Sequence, residues 1–352
     1  MTLSVCLIVR DEELALARCL DCVKKFADEI IVADTGSVDK TVEIASRYTD
    51  KIYFFEWCDD FSAARNFAFS KAGSDYVMWL DADDTIDDDS CAVIRNLVDT
   101  GGFDMAYLPY AAEFDGERPV CVYNRERIFL RSMNYRFSGA VHEAVPPRGK
   151  IVCSDARIDH KKIKSPDTFR NLRIYQNMIA RGISLDERGK FYYGRELISH
   201  KMLREGMAIL EDFLSGDGWK VNKTEACLNL FYCYMELGKE EEAVSVILKS
   251  FLYGRPRAQA CCILGSHFMD SNDLPTAVYW YERALDCGDE LKSGGFVNTD
   301  YADYIPYLQL CVLYDRLGDF SKAAEYNELA GKVKPQSAEY LFNKRYFENK
   351  TR

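Results

Sequence analysis

The chain has 352 residues, more than one ordinary core needs and enough for two domains. With 48% apolar and 13% aromatic residues it can bury sizeable cores, and a net charge of −11 argues against nucleic acid, which needs clustered Lys and Arg to neutralise phosphate. Thirteen cysteines, odd in number, scattered and mostly in apolar surroundings, read as reduced buried thiols rather than a disulfide framework.

In chain order, Leu3–Val9 (LSVCLIV) predicts a buried strand, followed by a helix over residues 12–26. Residues 29–33 (EIIVA) predict a second strand, 39–47 a helix, 51–55 a third strand and 61–72 another helix. Residues 76–80 (YVMWL) form a fourth strand that ends abruptly in Asp81, Ala82, Asp83 and Asp84. Continuously apolar strands separated by helices predict a parallel sheet covered on both faces. Ligands of such sheets collect beyond the carboxyl ends of the strands. Three polar clusters fall at those ends: Arg10-Asp11-Glu12, Asp34-Thr35-Gly36-Ser37 and Asp81-Ala82-Asp83.

From about Asp167 the pattern turns helical and repeats. Phe231, Tyr234 and Ala243 recur as Gly265, Phe268 and Ala277, 34 positions on. Cys311, Tyr314, Ala323, Ala330 and Pro335 give a further register after an insertion around Cys287 to Tyr301, and a weaker copy starts at Gly194 and Leu197. Small residues at these positions let paired helices pack closely. Only the last residues, Asn349 to Arg352, look unstructured. The apolar runs stay under about ten residues, too short to span a bilayer, and the start lacks the charge and length of a signal peptide. A cytoplasmic protein without a transmembrane segment is expected.

Asp81 and Asp83, one residue apart at a strand end, can hold a hard divalent cation through oxygen ligands. Such a cation would offset the charge of a diphosphate leaving group. An Asp-rich loop running on through Asp87, Asp88 and Asp89 can equally be a helix cap, and Asp39 with Thr41 reads as another. The basic run Arg157 to Lys164 (RIDHKKIK) is a solvated loop or a contact for an anionic ligand.

Four ordered motifs narrow the choice: Val9-Arg10-Asp11-Glu12, IIVADTGSVDKT from Ile30, FSAARNFAF from Phe61 and WLDADD from Trp79. Together they resemble the family 2 glycosyltransferases, whose GT-A domain is α/β, Rossmann-like and mostly parallel in its sheet. The resemblance implies domains at 1–165 (GT-A) and 166–348 (tetratricopeptide-like, all-α repeats). It places Asp34 at the nucleotide base, Arg65 beside the nucleotide and Asp81 at the ribose or metal. Asp83 falls on the metal, and Arg10 and Asp11 at the same nucleotide end.

A second cluster, Phe137 to Glu143 followed by Asp159-His160, is similar to a branch of the family that joins GT-A domains to helical repeats. That branch includes bacterial peptide S-glycosyltransferases; lipopolysaccharide-core transferases have a similar GT-A domain. FYYGREL (191–197) looks like its junction. The branch implies His160 as a metal ligand and His142 or Glu143 as the catalytic group meeting the acceptor, with Asp11 and Asp84 as alternative bases. The expected activity is inverting transfer from a nucleotide-sugar, by default a UDP-sugar, with Mn2+ or Mg2+, to a peptide, protein or glycan. The repeats would offer a peptide groove, a homodimer contact or a buttress. The competing expectation is an interaction scaffold with an inactive transferase-like domain. A dinucleotide-binding domain is disfavoured, because VRDEELA replaces the glycine-rich turn after the first strand.

Overall fold

The computed structural model describes residues 1–164, 167–287 and 295–350. Contacts divide the chain into two compact units, residues 1–114 with 123–209, and residues 115–122 with 210–352. Contacts thus group the chain from 166 to 209 with the sheet, beyond the 165/166 division expected from the sequence.

The first unit opens with β1 (Leu3–Val9), α1 (Leu16–Val23), β2 (Glu29–Asp34), α2 (Thr41–Ala45), β3 (Ile52–Phe54), α3 (Phe61–Ser70) and β4 (Tyr76–Asp81). These are the expected strands and helices, with shorter helices: Asp11 takes a left-handed turn at φ 54° and delays α1. There follow β5 (Asp84–Thr85), α4 (Asp88–Thr100), β6 (Met105–Asp115), β7 (Arg118–Leu130), β8 (Ile151–Cys153) and β9 (Ile158–His160). Then come α5 (Arg170–Ala180), α6 (Glu187–Ser199) and α7 (Leu203–Ser215), the last shared between the units.

The sheet runs β3-β2-β1-β4-β7-β6-β9-β5. Its first four strands are parallel, as expected, whereas β7 lies antiparallel to β4 and β5 antiparallel to β9. Alternate residues of β1 serve opposite faces. Leu3, Val5, Leu7 and Val9 pack with Leu16, Leu20 and Val23 of α1 and Ile94 and Val98 of α4. Cys6 joins Ile31, Ala33 and Val77 with Ala68 of α3 on the other face. The 3-2-1-4 order makes the carboxyl ends of β1 and β4 a topological switch point, the usual place for a ligand.

The second unit contains the tip of the β6–β7 hairpin and the rest of α7, then α8 (Lys220–Glu236), α9 (Glu240–Ser250), α10 (Ala258–Asp270), α11 (Leu274–Leu285), β10 (Val297–Asn298), α12 (Tyr304–Arg316), α13 (Phe320–Val333) and α14 (Ala338–Lys350). Three antiparallel helix pairs, α8/α9, α10/α11 and α12/α13, follow the repeat. Ala243, Ala277 and Ala323 are fully buried, and Gly238, Asn272 and Gly318 turn the chain between partners at positive φ. The hairpin tip is held here by ionic contacts of Arg118 to Asp300 and Asp303 and of Lys334 to Asp115 and Asp300, and β10 pairs with Val122 and Cys121. The expected insertion between Cys287 and Tyr301 lies outside the described residues over 288–294. The tail is helical to Lys350, and its last two residues are also outside.

None of the thirteen cysteines is joined in a disulfide. Cys19 and Cys22 have Cys-x-x-Cys spacing, but burial pushes the Cys19 thiol well up, so it behaves as a core residue. Among the described residues no helix is long and apolar enough to cross a membrane.

Candidate functional site

The switch-point loops are laced together by hydrogen bonds. Asp34, at the end of β2 and 6% exposed, accepts from the N–H groups of Gly36 and Ser37 at 3.2 Å. Gly36 sits at φ 103°, a conformation open to glycine. The Asp11 carboxylate accepts from Val38 N at 2.7 Å while its own N–H donates to Ser37 Oγ at 3.0 Å. Asp11 therefore braces the loop. Arg10 is exposed, and its carbonyl accepts from Lys164 Nζ at 3.2 Å. Asp39 accepts from Thr41 N at 2.9 Å and from Glu13 N at 3.1 Å; it was expected to cap α2, but it stands one residue before the N-cap, Lys40.

The end of β4 is the most highly charged part of the site. Arg65, on the buried face of α3, donates from Nη2 to Asp81 Oδ1 at 2.7 Å and from Nε to Glu143 Oε1 at 2.6 Å. Burial works against both charges, but the pairing outweighs it. The guanidinium is held more firmly protonated, and Arg65 and Arg127 keep Asp81 well below the usual carboxylate range. Arg65 Nη1 is buried without a hydrogen-bond partner.

Trp79 forms a platform for this charge. The Arg65, Arg125 and Arg127 guanidinium carbons stand 4.1, 4.8 and 3.7 Å from its ring centroid, at cation–π distance. Arg127 is fully buried and donates to Asp84 Oδ2 at 3.1 Å; Asp84, also fully buried, accepts from Tyr110 Oη and from Asp81 N.

β9 lies beside β5 with His160 opposite Asp84. His160 Nδ1 is 3.3 Å from Asp83 Oδ1 and 3.4 Å from Asp84 Oδ1, without hydrogen-bond geometry to either. Burial pushes its pKa down, but attraction to Asp83 and Asp84 prevails and raises it to about 9. Ligand atoms of Asp83, Asp84 and His160 lie within 4.8 Å of one another, and a buried nitrogen aimed at two carboxylates without a hydrogen bond suits a hard or borderline cation. Asp81, expected in the same set, is turned to Arg65 through Oδ1, and Asp84 stands in its place.

The structure thus brings Arg65, Asp81 and Glu143 together, and Asp83 with His160. Asp34 and Asp11 lie at the neighbouring strand end, and His142 turns towards α6. Sequence reasoning passed over Arg125 and Arg127, whose alternation in NRERIFL was the available signal, and the buried role of Asp84. It placed Glu12 in the first strand-end cluster but gave it no role. That residue is half-buried and its pKa is raised by burial, an effect opposed by Lys164 and reinforced by Asp83, Asp81 and Asp39.

A family model for glycosyl transferase family 2 matches residues 4–146. A TPR repeat-containing protein of Synechococcus elongatus is 40% identical over 144 residues, covering 40% of this chain and 35% of that protein. The SPbeta prophage-derived glycosyltransferase SunS of Bacillus subtilis is 28% identical over 212 residues, 56% of this chain and 49% of its own length. The lipopolysaccharide core biosynthesis glycosyltransferase LpsC of Rhizobium meliloti is 27% identical over 164 residues, 43% and 59% of the two chains. The chain spans between about a third and three fifths of the length of these relatives.

Proposed function

We propose that the family 2 glycosyl transferase domain of residues 4–146 transfers a sugar from a nucleotide-sugar, by default a UDP-sugar, to a peptide, protein or glycan, with inversion at the anomeric carbon. The observation that carries this reading is the acidic cluster at the end of β4, set at the switch point inside the matched segment. Catalysis is assigned to residues 1–165 and acceptor or partner contacts, including a homodimer, to the repeats of 166–348. A cytoplasmic site of action agrees with thirteen cysteines that form no disulfide.

In this reading Asp34 receives the base, and Asp81 with Arg65 lines the ribose and phosphate side. Arg10 and Asp11 shape the loop that closes over the nucleotide. Asp83 and His160, helped by Asp84, would hold Mn2+ or Mg2+. When bound, the cation supplies positive charge against the diphosphate. Glu143, paired with Arg65, offers negative charge to an oxocarbenium-like transition state.

Calorimetry with UDP, GDP, CDP and TDP, each with and without Mn2+, tests the reading. Metal-dependent binding of one diphosphate is expected. Binding of none would overturn it and leave the helical repeats as the working part of a scaffold.

A further inference from the structure

Glu143 is a poor candidate for taking the acceptor's proton. It is 8% exposed, and using it as a base would break its buried pair with Arg65. The residue before it is placed differently. His142 has φ 51°, a left-handed conformation that non-glycine residues keep when their surroundings hold them there.

Helix α6 does the holding. The His142 ring stacks on Tyr192 at 4.1 Å and 9°, its carbonyl accepts from Arg188 Nε at 3.0 Å, and Nε2 lies 2.9 Å from Glu196 Oε1. Glu196 also accepts from Asn171 Nδ2 at 3.0 Å. Burial pushes the Glu196 carboxyl up, but the bonds from His142 and Asn171 outweigh this and lower it. An ionised carboxylate only accepts, so Nε2 carries the hydrogen and Nδ1 keeps its lone pair. With its side chain 30% exposed, the ring remains open to a second molecule.

We propose that His142 is the general base for the acceptor and that Glu196 is the residue that positions it. The proposal rests on the transferase reading above. As the acceptor oxygen or sulfur bonds to the anomeric carbon, its proton passes to His142 Nδ1. The bond from that carbon to the diphosphate oxygen breaks, and the electron pair leaves with the nucleoside diphosphate. Glu196 stays ionised and stabilises the imidazolium, the role of the third group behind an oriented base.

The charged groups around the ring are Glu196, Arg195 and Arg188 from α6 and Glu143 from its own loop. His200, also on α6, is 4.0 Å from Glu196 Oε2, and α5 contributes the neutral Asn171. Burial holds the His142 pKa below the ordinary imidazole value, with Glu196 acting against it. The ring is therefore neutral and able to accept at neutral pH.

The test uses the full chain and its Glu196→Gln, Glu196→Asp and His142→Gln variants. UDP release from a panel of UDP-sugars is followed with water as acceptor, alongside UDP affinity and the 15N spectrum of the four histidine rings. Glu196→Gln should lower kcat roughly 10²- to 10⁴-fold and leave UDP affinity within about twofold. The acid limb of the pH profile and the His142 titration should both move to lower pH, because the imidazolium loses its anion. Glu196→Asp should restore part of kcat. Unchanged kcat and pH profile in Glu196→Gln, or a neutral His142 protonated on Nδ1, would overturn the proposal. If the wild type binds no nucleoside diphosphate, the transferase reading fails, and the base assignment fails with it; the ring spectrum then still reports whether Glu196 sets the tautomer.

Discussion

Asp83 and Asp84 are neighbours in sequence, yet Asp83 is 23% exposed beside His160 while Asp84 is fully buried against Arg127. Substitutions at the two should separate binding from folding. Asp83→Ala should cut Mn2+-dependent UDP binding at least about tenfold, measured by calorimetry, with stability within about 0.5 kcal/mol. Asp84→Asn should instead cost about 3–5 kcal/mol in urea unfolding, because it leaves Arg127 charged and unpaired in the core. Equal loss of stability in both would remove the distinction. Asp34 and Asp81 were legible in the sequence because each ends an apolar strand, and Asp83 because it follows Asp81 by two positions. The Asp84–Arg127 pair was not, since its partners are 43 positions apart and a strand reading Arg-Glu-Arg looks solvated until both faces are seen to be covered.

At the scale of elements, the helix pairs were the most legible part of the chain. Small residues at fixed spacing mean close backbone approach, and the packing explains why. A Cβ on Gly265 would lie 2.7 Å from the Tyr281 ring, so α10 and α11 meet only if that position stays bare. Gly265→Ala should lower stability by about 1–3 kcal/mol through overpacking, whereas Gly254→Ala, with open space around it, should be neutral. Thermal unfolding of the two variants decides this; equal midpoints would mean the contact relaxes freely. Strands β6 and β7 were the opposite case. Their charged and apolar residues mix without a clean period because β7 pairs with β4 at one end and with β10 at the other. No local pattern records a strand with two such different neighbours.

At the scale of the molecule, the boundary at 165/166 that the resemblance implies is one cut, whereas packing uses three, at 114/115, 122/123 and 209/210. The sequence shows where the pattern changes, but not which loop tip travels to another core. Residues 210–352 made alone would lack Arg118 and Asp115, the ionic partners of Asp300, Asp303 and Lys334, and the strand that pairs with β10. Partly exposed ion pairs contribute at most about 1 kcal/mol each, so the fragment should unfold roughly 2 kcal/mol more easily than the same region in the full chain. Adding a peptide of residues 112–125 in trans should recover part of that; no gain would mean the tip is a passenger.

The polypeptide enters the repeat unit twice, and this bears on how such proteins can be rearranged. A single crossover that trades one set of repeats for another would leave a foreign hairpin tip among helices built for its own. A productive exchange must carry eight residues from early in the gene together with a block that begins almost ninety codons later. Chimeras between relatives should therefore work when the tip and the repeats come from the same parent, whichever parent supplies the rest.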